Sequence, residues 1–171
     1  YQVIKLGRNI ERADMTTRIL DLNSAVQFPE DSVLHEPLME RVWMSTLNSL
    51  SAYQNYRRLI SMNVSGNAVF NFLLGDMRFP RSVVHCLSEI ESCIKLLPRS
   101  RQLQQLVAHL RIKIAQRNTE DLGTLAMHEY LDVLQADLAE VHSAVTQNYF
   151  HAWHGDGAGI KTDQSEFAFA Q

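Results

Sequence analysis

The sequence predicts an all-α protein, a single bundle of about six helices, and three observations support this prediction. Only seven glycines and four prolines occur in 171 residues, so few breaks interrupt regular structure. Strict alternation of apolar and polar residues does not run over a useful length anywhere, which argues against strands. Apolar residues instead recur at helical spacing in six segments. With 46% hydrophobic residues, a chain of this length buries one core and forms one domain.

The first helix is expected over 3–23 and at the centre of the bundle. At about 100° per residue it has two apolar strips on roughly opposite sides. The first strip consists of Val3, Leu6, Ile10, Ala13 and Leu20, and the second of Ile4, Met15, Ile19 and Leu22. A helix that is apolar on both sides is surrounded by other helices, which is why we expect a central position. Gly7 is expected to allow close approach of a neighbouring helix.

The next two helices are bounded by proline, serine and glycine. The second is expected over 37–60, with Pro37 in its first turn. A short and very apolar third helix is expected over 68–74, with Ser65 as a capping residue and Gly75-Asp76 at its end.

The last three helices complete the bundle. The fourth begins after Phe79-Pro80-Arg81-Ser82 and runs until Pro98 stops it. The fifth is expected over 100–116 and the sixth over 122–150. Residues 151–171 are rich in glycine and polar residues and lack a helical stripe, so an irregular tail or linker is expected there. The helical domain should therefore span residues 1–150.

Charge and hydropathy exclude two classes of function. Sixteen Lys and Arg residues against nineteen Asp and Glu residues give a formal charge of −3, so the basic face of a nucleic-acid binder is missing. No apolar run approaches the roughly 18–20 residues of a membrane span, and the first residues do not form a signal peptide. We expect no nucleic acid or membrane partner and a cytoplasmic location. Because Tyr1 is not an initiator methionine, the natural chain is expected to extend upstream.

The cysteines do not form a redox or nucleophilic arrangement. Cys86 and Cys93 are seven residues apart on one predicted helix, so their Cα atoms would lie about 10 Å apart, too far for a disulfide. His85 cannot serve as the base for Cys86, because adjacent helical residues point about 100° apart. Both thiols are expected to be core residues.

Histidine spacing gives only weak metal sites. Zincin, zinc-ribbon and helical di-iron motifs are missing, and so is any phosphate-binding glycine loop of the Walker or dinucleotide type. The pairs that remain are His128 with Asp132 on one helix and His151 with His154 in the tail. Two ligands make a weak site, so we expect neither a metal nor a cofactor.

Three charged residues of the first helix form the candidate site. Arg8, Glu11 and Arg12 are three and four residues apart, and their charged groups can converge on one patch within the second apolar strip. Partly buried ions need partners, because desolvation of an unpaired charge costs several kcal/mol. Either another acid completes a structural network, or the surplus guanidinium binds an anionic ligand, a carboxylate or a phosphate. The acids that could complete the network are Asp76, Glu89, Glu129 and Asp132.

The same helix carries a family likeness. Leu6-Gly7-Arg8-Asn9-Ile10-Glu11-Arg12-Ala13-Asp14 resembles the signature near the start of the alpha-E domain, a bacterial all-helical family named for a Glu-Arg motif. The likeness continues at Trp43, over 69–82 and at Asn148-Tyr149-Phe150, and covers residues 3 to 150. Lys5 departs from the pattern, because the family commonly has an aromatic or aliphatic residue there.

The resemblance implies partners more than it implies chemistry. Alpha-E proteins are typically encoded beside, or fused to, a circularly permuted ATP-grasp protein and near transglutaminase-like cysteine peptidases. These sets are expected to make or process a small peptide or amide-linked product. The expected function is therefore an accessory, non-catalytic module that acts with an ATP-grasp ligase and holds that enzyme or its peptide substrate.

The alternative function is an enzyme or ligand-binding protein, and a purely structural bundle is a third hypothesis. In the alternative, Glu11 is a general acid or base, and Arg8, Arg12 and Arg81 bind a substrate carboxylate or phosphate. Arg81 and Asp76, from the turn before the fourth helix, are expected near the cluster. If the cluster is structural, Glu11→Gln should cost a few kcal/mol of stability.

Overall fold

The computed structural model describes residues 1–26, 29, 33–117 and 123–150, and these form seven helices with no strand among them. The helices are α1 (Gln2–Ser24), α2 (His35–Ser49), α3 (Tyr53–Leu59), α4 (Gly66–Gly75), α5 (Val83–Ile94), α6 (Arg101–Ala115) and α7 (Thr124–Tyr149). The predicted all-α bundle is confirmed. The predicted tail over 151–171 lies outside the described residues. None of the described helices has the length and apolar character needed to cross a membrane.

The predicted helix over 37–60 is two helices, because the chain turns at Leu50–Ala52. Ser51 adopts a left-handed backbone conformation with φ 52°. The Ala52 backbone N–H donates to the carbonyl of Leu47 at 2.7 Å, which closes the turn. Neither glycine nor proline marks this break, and the apolar pattern continues through it, so the sequence contains no signal for it.

Serine side chains cap the starts of two helices, and the cap at Ser65 is the one that the sequence predicts. The Ser65 hydroxyl accepts from the Ala68 backbone N–H at 3.4 Å at the start of α4. The Ser82 hydroxyl accepts from the His85 backbone N–H at 3.2 Å at the start of α5. Each serine satisfies a backbone donor that the first turn of a helix leaves unpaired.

The core lies mainly on one side of α1, which packs against α2, α4, α5 and α7 and most extensively against α5 and α7. Leu6, Ala13 and Leu20, from the first predicted strip, are completely buried. The central position of α1 is therefore confirmed. Asn9 and Thr16 are also buried, and each donates a hydrogen bond to a backbone carbonyl, which lets polar residues extend the buried side.

The second predicted strip of α1 is largely exposed, which corrects the expectation of a helix covered on both sides. Ile4 is 77% exposed, Met15 48% and Leu22 73%, whereas Ile19 is half-buried. Most of the first strip is therefore buried and most of the second is not. Helical periodicity identifies the two sides but does not tell how many neighbours are available to cover them.

The close approach expected at Gly7 occurs at a different glycine. A Cβ atom added to Gly7 would meet nothing within 4 Å, so no helix of this domain needs a glycine there. At Gly66, the first residue of α4, an added Cβ would lie 2.7 Å from the Trp43 indole. Gly66 therefore permits the contact between α2 and α4.

Candidate functional site

A groove on the outer side of α1 brings together four of the five predicted site residues. Arg8, Glu11, Arg12 and Arg81 line it, and its volume is about 310 Å³. We call this cavity the α1 groove. Its remaining lining residues are Met15, Thr16, Ile19, Ser49 and Leu50. Residues from α1, from the end of α2 and from the turn before α5 therefore meet at one surface.

Arg81 reaches the groove because two hydrogen bonds hold its segment against α1 and α2. The Thr16 hydroxyl donates to the Arg81 carbonyl oxygen at 2.9 Å. The Arg81 guanidinium in turn donates from Nη1 to the Leu50 carbonyl oxygen at 2.9 Å. A guanidinium has five N–H donors, so most of those of Arg81 remain available to a ligand or to water.

Arg8, Glu11 and Arg12 are not part of an ion-pair network among the described residues. Arg8 and Glu11 are exposed and Arg12 is half-buried. No side-chain hydrogen bond or ion pair joins any of the three to another described residue within bonding distance. Arg8 and Glu11 are therefore solvated and not partly buried as expected, whereas Arg12 is partly buried without a bonded ion partner among the described residues.

The structure does not bring Asp76 to the groove. Its Oδ1 accepts from the Arg78 backbone N–H at 2.9 Å and from Arg78 Nε at 3.0 Å, while Oδ2 accepts from Arg78 Nη2 at 2.6 Å. These bonds from Arg78 lower the pKa of Asp76. The Ser82 hydroxyl donates to the Asp76 carbonyl oxygen at 2.6 Å. Asp76 thus stabilises the turn between α4 and α5, where a local partner satisfies its charge.

The other acids proposed for a network do not complete one either. Glu89 of α5 pairs with Lys5 Nζ at 2.5 Å, and this bond is the main cause of the lowered pKa of Glu89, with a smaller contribution from Arg8. Lys5, which departs from the family pattern, therefore has an ion partner. Asp132 lies 3.5 Å from His128 at the far end of α1. Glu129 is exposed.

The thiols near the groove are poor nucleophiles. Cys86 is completely buried on α5, and burial raises its pKa to about 11, although Arg12 opposes that rise. Burial also raises the pKa of Cys93. The reactive form of cysteine is the thiolate, so both residues act as the core residues that the sequence predicts.

Two features of the structure were not anticipated from the sequence. A cavity of about 850 Å³ lies between α2 and α4, beside Glu36, Trp43 and Gly66. Asp21 of α1 joins the His128–Asp132 pair of α7. Both depend on which helices are neighbours, and spacing within one helix carries no signal for that.

The chain is similar to proteins of mycobacteria. It is 26% identical over 165 residues to an uncharacterized protein of Mycobacterium bovis and to two uncharacterized proteins of Mycobacterium tuberculosis. The alignment covers 95% of this chain but 17% of each relative, so the chain spans about one sixth of their length. No solved structure matches the chain.

The Alpha-E family model, described as a predicted alpha-helical domain with a conserved ER motif, matches residues 1–150. In this chain the Glu-Arg pair of the resembling segment is Glu11-Arg12, and both side chains line the α1 groove. The match spans every described helix. The chain therefore belongs to the Alpha-E family.

Proposed function

We propose that this Alpha-E domain is an accessory interaction module that acts with a circularly permuted ATP-grasp ligase in making or processing a small peptide product. One observation carries the proposal. Glu11 and Arg12, the Glu-Arg pair of the segment that resembles the family signature, line the α1 groove without an ion partner among the described residues. A charged pair that lines a surface groove without an ion partner inside the domain is available for contact with another molecule.

The surroundings of the motif support contact with a protein. Exposed Ile4, Met15 and Leu22 lie on the same helix as the exposed charges. Arginine and methionine are enriched at protein interfaces, and apolar residues grouped at a surface mark interaction sites. Gly7 leaves open space on this helix, which would let a partner backbone approach closely.

The size of the domain also supports the role of a module. The mycobacterial relatives are about six times as long as the region that this chain matches. A helical domain within such polypeptides is suited to holding a neighbouring enzyme or its substrate. We place the module in the cytoplasm, where a ligase has ATP, and a transglutaminase-like peptidase is a second possible partner.

A second candidate function is the binding of an anionic ligand. Three guanidiniums and one carboxylate line the α1 groove, which gives it a formal charge of two positive units. The planar fork of arginine binds carboxylate and phosphate groups through two parallel hydrogen bonds. In this function Arg8, Arg12 and Arg81 would hold the anion, and Glu11 could act as a general acid or base.

Co-purification tests the first proposal. The domain would be expressed with the circularly permuted ATP-grasp protein of the same organism, and the complex would be measured by size and by ATP turnover. We expect a stable complex with altered turnover, weakened by Arg12→Ala. Arg101→Ala is the matched control, because Arg101 is exposed on α6, a helix with no extensive contact with α1.

The outcomes separate the two functions. A complex that Arg12→Ala and Arg101→Ala leave equally intact would place the interface elsewhere and contradict the proposal. If no complex forms, titration with inorganic phosphate and with a short peptide carboxylate would test the anion site. If Glu11→Gln abolishes product formation while melting temperature and partner binding are unchanged, the domain is catalytic.

A further inference from the structure

One histidine and two carboxylate side chains meet where the end of α1 lies against the beginning of α7, away from the α1 groove. Asp21 lies in the last turn of α1, and His128 and Asp132 lie one turn apart on α7. One ligand atom from each of the three lies within 4.8 Å of the others. None of the three residues lines the groove that we assign to the proposed function.

The two ring nitrogens of His128 have different environments. Nδ1 is 2.5 Å from Asp21 Oδ1, a hydrogen bond in which the ring donates to the carboxylate. A proton on Nδ1 leaves the lone pair of a neutral imidazole on Nε2. Nε2 is 3.5 Å from Asp132 Oδ2, which exceeds the roughly 2.7–2.9 Å of a charge-assisted hydrogen bond.

The longer distance fits two ligands of one metal ion. In a tetrahedral zinc site the nitrogen and oxygen ligands are each about 2.0–2.1 Å from the ion, which places them about 3.3–3.4 Å from one another. His128 Nε2 and Asp132 Oδ2 are 3.5 Å apart, so they have nearly this separation before any ion binds. Imidazole nitrogen with carboxylate oxygen is a donor set that suits zinc.

Asp21 supplies an independent indication of a metal ligand. A histidine that binds a metal through one nitrogen almost always donates its other N–H to a carboxylate, a carbonyl or water, which fixes the tautomer and the ring orientation. The hydrogen bond from His128 Nδ1 to Asp21 has this arrangement, and it comes from a different helix. Asp21 would therefore be a positioning residue, and it would not contact the ion itself.

We propose that His128 and Asp132 bind a divalent cation of the zinc class, with Asp21 orienting the imidazole. The His128 side chain is 43% exposed and that of Asp132 58%, so the ion can enter from solvent and water can complete its coordination. A bound ion would strengthen the connection between α1 and α7, because His128 is hydrogen bonded to α1 through Asp21. This site is separate from the proposed function and could exist without it.

Titration of the full chain with zinc chloride, after removal of metals with a chelator, tests the proposal. We expect saturable binding of one ion per chain by calorimetry, and a visible absorption band when cobalt(II) replaces zinc. His128→Gln and Asp132→Asn should each weaken binding by at least about tenfold, because each removes one of two protein ligands. Asp21→Ala should weaken binding about 10–100-fold, and Asp21→Glu should restore part of the loss.

Two control variants separate this site from binding elsewhere on the chain. His142→Gln removes another exposed histidine of α7 and should leave the affinity unchanged. His151→Gln with His154→Gln, which replaces both tail histidines, should also leave it unchanged. Melting temperatures without metal would show whether each variant is folded.

Three results would overturn the proposal. The first is the absence of saturable zinc binding by the unsubstituted chain, which would leave His128 as an ion-pair partner of two carboxylates. The second is a folded His128→Gln variant that binds zinc as tightly as the unsubstituted chain. The third is loss of binding in the double variant of the tail.

Discussion

The two sides of α1 differ in what surrounds them and in what their residues do. The inner side carries Leu6, Ala13 and Leu20, which are completely buried, and α1 packs most extensively against α5 and α7. The outer side presents Ile4 and Leu22 to solvent, together with the charged residues of the α1 groove. One helix of 23 residues thus combines a core element with an exposed surface.

This difference separates residues that stabilise the fold from residues that are available to other molecules. The inner side gains stability from the removal of apolar surface from water. The outer side buries little apolar surface in the folded domain, and it carries Glu11 and Arg12, the Glu-Arg pair of the segment that resembles the family signature. If the outer side serves recognition, substitutions on the inner side should lower stability strongly, whereas substitutions on the outer side should leave stability nearly unchanged.

The largest effect is expected on the inner side. Leu20→Ala should destabilise the domain by about 2–5 kcal/mol, because it leaves a cavity in a completely buried region. Leu22→Ala, on the outer side of the same helix, should change stability by less than about 0.5 kcal/mol. Denaturant unfolding of both variants measures the difference. Equal losses would show that the outer side is also packed in the folded protein.

Gly66→Ala is expected to lower stability by about 1–3 kcal/mol, because the added methyl group would overlap the indole of Trp43, which is almost completely buried. The free energy of unfolding measures this loss. An unchanged value would mean that α2 and α4 can separate at this contact without cost.

Asp76→Asn tests whether Asp76 is a structural residue. At pH 7 the free energy of unfolding of the variant should be lower by about 1 kcal/mol, because neutral asparagine binds Arg78 more weakly. Arg78 lowers the pKa of Asp76 in the folded protein, so the stabilising contribution of Asp76 is complete above the pKa of the unfolded chain and is lost as pH falls through the folded pKa. The difference between variant and unsubstituted protein should therefore shrink in acid. A difference that is constant down to full protonation would contradict the ion-pair explanation.

Gly7→Ala should stabilise the isolated domain by about 0.5–1 kcal/mol, because alanine favours a helix interior and the added methyl group meets nothing. If a partner backbone approaches α1 at this position, the same variant should weaken the complex. Melting temperature and partner affinity would be measured on the same preparation. A loss of stability would instead place Gly7 in the packing of the fold.

Glu11→Gln is expected to change stability by less than about 0.5 kcal/mol, because Glu11 is exposed and has no ion partner among the described residues. The sequence-based hypothesis of a structural charge cluster predicts instead that this variant loses a few kcal/mol of stability. Thermal unfolding distinguishes the two expectations. A loss of several kcal/mol would restore the structural network and remove the reason to propose a recognition surface.

Much of the helical organisation could be predicted, because helical periodicity and capping residues are local properties. Ser65 and Ser82 mark the starts of α4 and α5, and the inner strip of α1 is the one that is buried. The turn at Ser51 could not be predicted, because no glycine or proline accompanies its left-handed backbone. The exposure of Ile4 could not be predicted either, since it depends on how many helices surround α1.

The helical class, the family and the convergence of Arg8, Glu11 and Arg12 on one patch follow from local sequence, since residues three and four apart on a helix are neighbours. Tertiary packing places Arg81 at this patch and leaves Asp76 away from it. Arg81 is held there by Thr16 and Leu50, which are distant in the chain, whereas Asp76 is satisfied by nearby Arg78. Tertiary packing likewise brings Asp21 of α1 into contact with His128 of α7, although the two residues are more than a hundred positions apart in the chain.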